Sequence, residues 1–399
     1  MGPFTYRLRP LERLISVEDY RRAASRQVPR LVWEYVEGGA DDLVTVGRNQ
    51  EAFSRWSLRA RMMTAHPERR LATTVAGVEV DLPVLLAPTG ALGLSHWRGD
   101  LAAARAAEAA GTRLVLSTAS SWTIEEVAAG TRADHFFQLY PGGERTATLM
   151  QRAWRAGYRA LFVTVDVPVL GNREGERRHG YANTGSLNRT LTVTPRGAAD
   201  FARHPRWLLD QLRYGRGAMR NLLPTAGVQA TFESIEALHR EIEQATFAWD
   251  DLEWIREQWP GTVYVKGLLD PDDAARAVAI GCEGVVVSNH GGRQLDHALA
   301  SLEALPAIVA AVGDRAEVLF DGGVRRGTDV VKALALGARA VCIGRPQIYG
   351  LIVDGERGVA AVLEILRSEL DRALALMGVQ SVHELDRGCL IERSTGRMP

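Results

Sequence analysis

The chain has 399 residues, of which 46% are hydrophobic and 24% charged, a composition that suits a globular protein with a closed core and excludes large-scale disorder. Its 48 basic residues balance 48 acidic ones, so neither a nucleic acid nor another polyanion is expected as a partner. Three cysteines are too few for a disulfide framework or a zinc site, and neither a secretory signal nor a membrane-spanning run is evident, so we expect a cytoplasmic protein that holds no metal.

The N-terminal region precedes the first clear strand at Pro83 and is expected to form a helical cap. Within it, the segment Glu37–Ala40 (EGGA) should end the helix that carries Tyr35, because glycine is a poor helix former. We expect a single domain over residues 1–399, divided into the cap at 1–82, the main fold at 83–350 and a C-terminal helix and tail at 351–399.

From Pro83 onwards, short β-branched runs alternate with alanine-rich or amphipathic segments. The predicted strands are Pro83–Ala87, Leu114–Ser117, Phe136–Tyr140, Leu161–Asp166, Val263–Lys266, Gly284–Ser288, Val318–Asp321 and Val341–Gly344. The predicted helices are Leu101–Ala110, Ile124–Ala129, Arg145–Ala156, Pro271–Ile280, Leu302–Val312 and Thr328–Leu336. The strand runs lack the alternation of a half-exposed sheet, which indicates parallel strands buried on both faces. This pattern predicts an α/β fold, a (β/α)8 TIM barrel.

A long gap, about 168–250, separates the fourth and fifth strands and exceeds an ordinary connection. Such an insertion predicts a lid, a binding loop or a partner surface. Its part 196–224 interleaves arginines with apolar residues, so it could lie peripherally on a membrane. The alternative, left open, is a solvated helix that packs on the barrel or on a neighbouring subunit.

The last two strands end in DGGVRRG (Asp321–Gly327) and IGRP (Ile343–Pro346). Barrels often bind phosphate there: glycines let backbone N–H groups approach the anion, and Arg325 and Arg345 supply positive charge. A phosphorylated ligand is therefore expected, although this signal fits any phosphate-binding barrel.

The sixth strand ends in SNHGGRQLD (Ser288–Asp296). The imidazole of His290 could take a proton near neutral pH, and the guanidinium of Arg293 could grip a carboxylate. A base and a carboxylate anchor would then face one substrate.

The sequence resembles the FMN-dependent 2-hydroxy acid dehydrogenases and oxidases, from about Ser16 to about Gly378. The segments that carry the resemblance are SNHGGRQLD, APTG (Ala87–Gly90), FFQLY (Phe136–Tyr140), TVDVPVLGNRE (Thr164–Glu174), DGGVRRGTDVVKALALGARAV (Asp321–Val341) and IGRP. Within the family, SVEDYRRAA (Ser16–Ala24), LSTAS (Leu116–Ser120) and HPRWLLD (His204–Asp210) are most similar to mandelate dehydrogenases. The resemblance implies FMN as cofactor, a homo-oligomer, expected to be a tetramer, and oxidation of an (S)-2-hydroxy acid to the 2-oxo acid.

The resemblance also implies roles for individual residues. His290 would be the base, Asp166 its orienting partner, and Lys266 a positive charge beside the flavin ring. The substrate would be bound by Tyr35, Tyr140, Arg173, His290 and Arg293, of which Tyr140 counts among the catalytic residues. The cofactor would be bound by Pro88, Thr89, Gly90, Ser117, Gln138, Thr164, Lys266, Ser288, Asp321, Gly323, Arg325, Gly344 and Arg345.

The substrate side departs from the family pattern in two places. Ala119 stands where glycolate oxidase carries tryptophan, which favours a bulky or aromatic substrate such as mandelate unless Trp122 or a lid residue refills the space. Residues 174–180 (EGERRHG) replace the family's usual ending, which leaves the lid geometry open.

Several alternatives stay open at this stage. A small aliphatic substrate would make the enzyme an L-lactate dehydrogenase or oxidase. An FMN-dependent isomerase would not need the carboxylate clamp, a non-redox aldolase or synthase would be colourless, and a silent flavin-binding scaffold would not need His290. The electron acceptor could be oxygen, a quinone or a cytochrome, and the α-hydrogen could leave as a hydride or as a proton.

Overall fold

A computed structural model of the chain describes residues 14–64, 68–143, 145–179, 194–215, 219–222 and 247–393. Its first elements are three short helices, α1 (Val17–Ala24), α2 (Arg30–Glu37) and α3 (Val44–Glu51). Helix α2 ends where the glycine pair predicted, at Gly38, whose N–H bonds the carbonyl of Glu34. Tyr35 therefore lies in the last turn of α2, close to the helix end at Gly38, and it lines the pocket of the barrel.

Besides the helices of the expected cap, the N-terminal region contains three short strands that the sequence did not predict. Strand β1 (Trp56–Leu58) pairs with β12 (Leu390–Glu392), and β2 (Thr73–Val75) forms an antiparallel hairpin with β3 (Val78–Val80). The hairpin turn, Ala76–Gly77, has φ of 52° and 75°, but lacks the Asn-Gly or Asp-Gly pair that marks such turns in a sequence. Val75 and Val80 are fully buried against side chains inside the barrel.

Eight parallel strands form the barrel, and they match the predicted strands to within two residues. They are β4 (Val84–Leu86), β5 (Val115–Ser117), β6 (Phe136–Leu139), β7 (Ala160–Thr164), β8 (Thr262–Leu268), β9 (Gly284–Val287), β10 (Glu317–Asp321) and β11 (Ala340–Ile343). Hydrogen bonding follows the order β4-β11-β10-β9-β8-β7-β6-β5, and a parallel bridge between Leu86 and Leu114 joins the two ends. The (β/α)8 barrel predicted from the buried apolar runs is thus confirmed.

Twelve further helices follow the barrel strands in the described part of the chain. They are α4 (Leu92–Ser95), α5 (Gly99–Ala109), α6 (Ile124–Ala129), α7 (Arg145–Arg155), α8 (Glu174–Arg178), α9 (Pro195–Arg203), α10 (Pro205–Tyr214), α11 (Trp249–Gln258), α12 (Pro271–Ala279), α13 (Ser301–Val312), α14 (Gly327–Ala335) and α15 (Arg345–Met377). Helix α15 is kinked at Asp354 and Gly355, so the expected division at residue 350 falls within its first segment.

The insertion after β7 contributes α8, α9, α10 and a short turn at Arg220–Leu222. Residues 180–193, 216–218, which include Arg216, and 223–246 lie outside the described residues. One face of α10 docks on the segment after β4, where Trp207 Nε1 donates to the carbonyl of Leu94 at 2.6 Å and Gln211 Nε2 to that of Gly93 at 2.8 Å. The opposite face exposes Leu209 and Leu212, 64% and 76% accessible. No helix in the described ranges combines the length and hydropathy needed to cross a bilayer.

Candidate active site

A single pocket opens where the barrel strands end, and most of the predicted site residues line it. From the strand ends it receives Pro88, Thr89, Gly90, Tyr140, Lys266, His290, Arg293, Asp321, Gly323, Arg325, Gly344 and Arg345. Tyr35 joins them from α2, and Arg173 from the residue before α8. Residues that are up to 310 positions apart in the sequence are therefore gathered at one face of the barrel, as expected for this fold.

His290 and Asp166 form a hydrogen-bonded pair, with Nδ1 of the imidazole 2.9 Å from Oδ1 of the carboxylate. Burial opposes ionisation of Asp166, but the charges of His290 and Lys266 outweigh it and lower the pKa of the carboxyl below its ordinary value. An ionised Asp166 accepts a hydrogen bond from Nδ1–H of His290, so Nε2 is the atom that can accept a proton. The geometry is that of a base and the group that orients it.

Lys266 lies at the base of the pocket and is only 4% exposed. Its Nζ atom bonds Asp321 Oδ2 and Ser288 Oγ, each at 2.9 Å. Burial would lower the pKa of the lysine, but the carboxylates of Asp321 and Asp166 more than offset this and raise it. Lys266 is therefore a fixed positive charge at the floor of the site.

The two candidate carboxylate anchors, Arg173 and Arg293, lie side by side. Arg293 donates from Nη1 to the carbonyls of Tyr35 and Gly38, at 2.8 and 3.1 Å, and from Nη2 to Glu176 Oε1 at 2.7 Å. Arg173 donates from Nε to the carbonyl of Arg293 at 3.3 Å. Both guanidinium groups are thus oriented before any ligand arrives.

The two tyrosines face the same space as the arginines. The hydroxyl of Tyr35 donates to the carbonyl of Gly90 at 2.7 Å. Burial raises the pKa of Tyr140 to about 12, and the charge of Asp166 adds to the increase. Tyr140 therefore keeps its proton at physiological pH and can donate it to a ligand oxygen.

At the other end of the pocket, Arg325 and Arg345 follow the last two strands. Arg345 donates to the carbonyls of Val36, Gly38 and Gly291, at 3.2, 2.7 and 2.9 Å. Burial lowers the pKa of Arg345 to about 10, with the nearby charge of Arg325 contributing. Arg345 therefore braces α2 against the barrel, while Arg325 bonds a single carbonyl, that of Val324.

Five predicted residues do not line the pocket but lie at or near the strand ends: Asp166, Ser117, Gln138, Thr164 and Ser288. Among the described residues, Gln138 Nε2 and Thr164 Oγ1 are buried without a hydrogen-bond partner. Buried polar atoms are normally satisfied, so these two indicate a polar ligand that the barrel floor is built to hold. The expected FMN fits these residues: Gln138 and Thr164 would bond polar atoms of its ring, and Arg325 would bind its phosphate.

Two residues that contact the arginines, and two that line the pocket, escaped the sequence analysis. Glu176 is fully buried and bonds Arg293, and Gln294 Oε1 accepts from Arg173 Nη2 at 3.1 Å. Met219 and Leu222 reach the pocket from the insertion, beside Ala119. Glu176 and Gln294 fall within motifs that the sequence singled out, whereas nothing local marks Met219 or Leu222.

The comparisons with known proteins agree with this site. The family model described as FMN-dependent dehydrogenase matches residues 24–392. An L-lactate oxidase of Nostoc sp. is 41% identical, and an (S)-mandelate dehydrogenase of Pseudomonas putida is 40% identical; each alignment covers 94% of this chain and 98% or 93% of the relative. The crystal structure of the monotopic membrane protein (S)-mandelate dehydrogenase superposes with a TM-score of 0.90 at 39% identity, over 96% of this chain and all of that one.

A (β/α)8 barrel that matches the FMN-dependent dehydrogenase model over residues 24–392 is an FMN-dependent oxidoreductase that acts on 2-hydroxy acids. The chain belongs to the FMN-dependent dehydrogenase family, over nearly its whole length. Its cofactor is FMN and its reaction is the oxidation of a 2-hydroxy acid.

Proposed function

We propose that the enzyme oxidises an (S)-2-hydroxy acid with a bulky or aromatic side chain, such as mandelate, to the 2-oxo acid. The supporting observation is an apolar wall of the pocket beside the two arginines, made by Ala119, Val167, Leu170, Met219 and Leu222. The apolar side chain of a substrate placed there would be removed from water, while the substrate carboxylate stays bound to the arginines.

The proposed roles follow from the contacts. Arg173 and Arg293 hold the substrate carboxylate, and the hydroxyl of Tyr140 donates to a substrate oxygen. The hydroxyl of Tyr35 would exchange its bond to the Gly90 carbonyl for one to a substrate oxygen. Nε2 of His290 accepts a proton from the substrate, and Asp166 stabilises the resulting imidazolium through Nδ1. Asp166 thus acts through His290.

Bound FMN supplies the two-electron acceptor. The residues proposed to hold it are Pro88, Thr89, Gly90, Ser117, Gln138, Thr164, Lys266, Ser288, Asp321, Gly323, Arg325, Gly344 and Arg345. The positive charge of Lys266 is fixed at the floor by Asp321 and favours electron transfer to the cofactor.

The substrate proposal is tested by anaerobic mixing of the purified holoenzyme with (S)-mandelate, (R)-mandelate and (S)-lactate. We expect the flavin absorbance to bleach with (S)-mandelate at a kcat/KM at least about tenfold above that for (S)-lactate, since an apolar contact of this size is worth about 1–3 kcal/mol. A preference for lactate would favour the second candidate, a lactate oxidase or dehydrogenase. Relatives named L-lactate oxidase and L-lactate dehydrogenase, at 41% and 42% identity, support that candidate.

A peripheral contact with the inner membrane surface is also proposed, through the exposed face of α10. Leu209 and Leu212 would enter the interface, and Arg206 and Arg213 would lie on anionic headgroups. A quinone in the bilayer would then be the natural electron acceptor, with oxygen as the alternative.

This surface is tested by cosedimentation with vesicles that contain anionic lipid. We expect the paired substitution L209S/L212S to release the protein from vesicles while the rate with mandelate and a soluble quinone analogue is unchanged. Equal sedimentation of both proteins would contradict the proposal. Reoxidation of the reduced flavin by air at the quinone rate would favour an oxidase.

We further propose that the chain is a single domain that assembles as a homotetramer in the cytoplasm. The family match over residues 24–392 supports one domain, and the family resemblance supports the assembly. Light scattering on the purified protein tests the tetramer: a monomeric mass would refute it.

A further inference from the structure

Glu176 is a charged side chain that the proposed reaction does not use. It lies in α8 and is 0% exposed, between the two arginines of the substrate site. Its Oε1 atom accepts a bond from Arg293 Nη2 at 2.7 Å and lies 3.9 Å from Arg173 Nη1. Its Oε2 atom has no hydrogen-bond partner among the described residues.

The substrate anchor, made of Arg173, Arg293 and Glu176, carries one excess positive charge. Lys266 and Asp166 each have a partner of their own, Asp321 and His290 respectively. The two guanidinium groups of Arg173 and Arg293 then face a single carboxylate, that of Glu176. The remaining charge of +1 matches the single carboxylate of a 2-hydroxy monocarboxylic acid.

Two unbalanced guanidinium groups would be costly in this enclosed position. Burial lowers the pKa of Arg173 and the charge of Arg293 lowers it further, whereas the carboxylate of Glu176 counteracts both. Glu176 is also placed to fix the direction of Arg293, because their contact supplements the bonds from Arg293 to the carbonyls of Tyr35 and Gly38.

We propose that Glu176 is a positioning residue that sets the charge of the substrate anchor. It holds the Arg293 guanidinium in place and restricts the anchor to one excess positive charge, so that monoanions are accepted and dianions are disfavoured. This inference rests on the proposed carboxylate site, and it adds a determinant of which acids that site selects.

The test is a titration of the oxidised holoenzyme with two unreactive acids, phenylacetate as the monoanion and oxalate as the dianion, followed by the flavin spectrum. Glu176→Gln keeps the oxygen that accepts from Arg293 and removes the charge. We expect phenylacetate to bind about tenfold more tightly to this variant, and oxalate to gain more than phenylacetate, because each ligand charge loses one repulsion at short range.

Glu174→Gln is the matched control, because Glu174 lies in the same helix but pairs with the largely exposed Arg178. Its dissociation constants should equal those of the unmodified protein. If Glu176→Gln folds with unchanged dissociation constants for both acids, the inference is overturned.

Glu176→Asp provides the second measurement, which holds even if the glutamine variant does not fold. It keeps the charge but shortens the side chain, so we expect phenylacetate and oxalate to bind within about twofold of their original strength while kcat falls. A tenfold change in either dissociation constant would contradict the assigned role. The titrations do not depend on the substrate, so inactivity of the unmodified enzyme towards mandelate would refute the proposed function and leave this inference to be judged on its own.

Discussion

The two ends of the active-site pocket are built differently. The cofactor end is formed by residues at or next to strand ends, such as Lys266, Asp321 and Arg325, whose positions the barrel dictates. The substrate end is assembled from α2, α8 and the Arg220–Leu222 turn, which tertiary packing brings to the barrel. In the proposed site, the barrel would determine where FMN binds, and the added segments would determine which substrate reaches it. Changes at the two ends should accordingly have separable effects.

The largest effect is expected at the junction of the two ends. Replacing His290 by glutamine removes the proposed base, so the rate of flavin reduction by (S)-mandelate should fall by up to about 10⁴-fold. The FMN content should stay at one per chain, because the imidazole bonds Asp166 rather than the predicted phosphate contacts. Stopped-flow absorbance and the visible spectrum measure both quantities. Reduction at an undiminished rate would remove His290 from the mechanism.

The next effect compares one arginine from each end. Arg293→Met should lower kcat/KM for mandelate by about 10²-fold with FMN retained, since a lost charge-assisted bond costs about 1.5–3 kcal/mol. Arg325→Met should instead weaken FMN binding by a similar factor. Fluorescence titration of the apoprotein with FMN gives the second value. Loss of FMN from the Arg293 variant, or none from the Arg325 variant, would break the proposed division between the two ends.

A smaller effect concerns pH. The pKa of Asp166 is held below its ordinary value, so its ionised form stabilises the fold above the unfolded-state pKa of about 4, and this stabilisation is lost as pH falls through the lower native pKa. Asp166→Asn should remove that part of the acid dependence of unfolding and also slow flavin reduction. Urea unfolding between pH 3 and pH 7 measures the slope. An identical slope in both proteins would mean that the pair with His290 contributes no pH-dependent stability.

The smallest effect concerns the apolar wall. Ala119→Trp should fill the space beside Met219 and Leu222 and lower kcat/KM for mandelate by about tenfold, while lactate, which needs less room, is affected less. Steady-state kinetics with both acids give the ratio. Ala119→Ser is a control that hardly changes the volume and should leave the ratio in place. An equal loss for both acids would show that the wall does not select by size.

Sequence patterns predicted the barrel well because its strands are buried on both faces. The run Val285–Val287, for example, has no polar residue to suggest any other role. The hairpin at Thr73–Val80 was missed because its turn is Ala76–Gly77, a weak signal for the left-handed conformation that both residues adopt.

Within the site, residues in strand-end motifs were found and those that depend on tertiary packing were not. Glu176 has charged neighbours in sequence and resembles any exposed helix residue, although it is fully buried against Arg293. Arg345 was placed in the pocket correctly, but its three bonds to backbone carbonyls could not be read from the motif IGRP. Met219 and Leu222 depend on the path of the insertion, which has no sequence rule.

The docking of α10 has a consequence for attempts to shorten the chain. Trp207 and Gln211 donate hydrogen bonds to the carbonyls of Leu94 and Gly93. These two residues lie only a few positions after Gly90, which lines the pocket. Deleting α9 and α10 to obtain a smaller enzyme would leave these two carbonyls without their donors and destabilise the turn that carries Gly90. A trimmed enzyme would therefore need replacement donors at Gly93 and Leu94 before its flavin cavity could keep its shape.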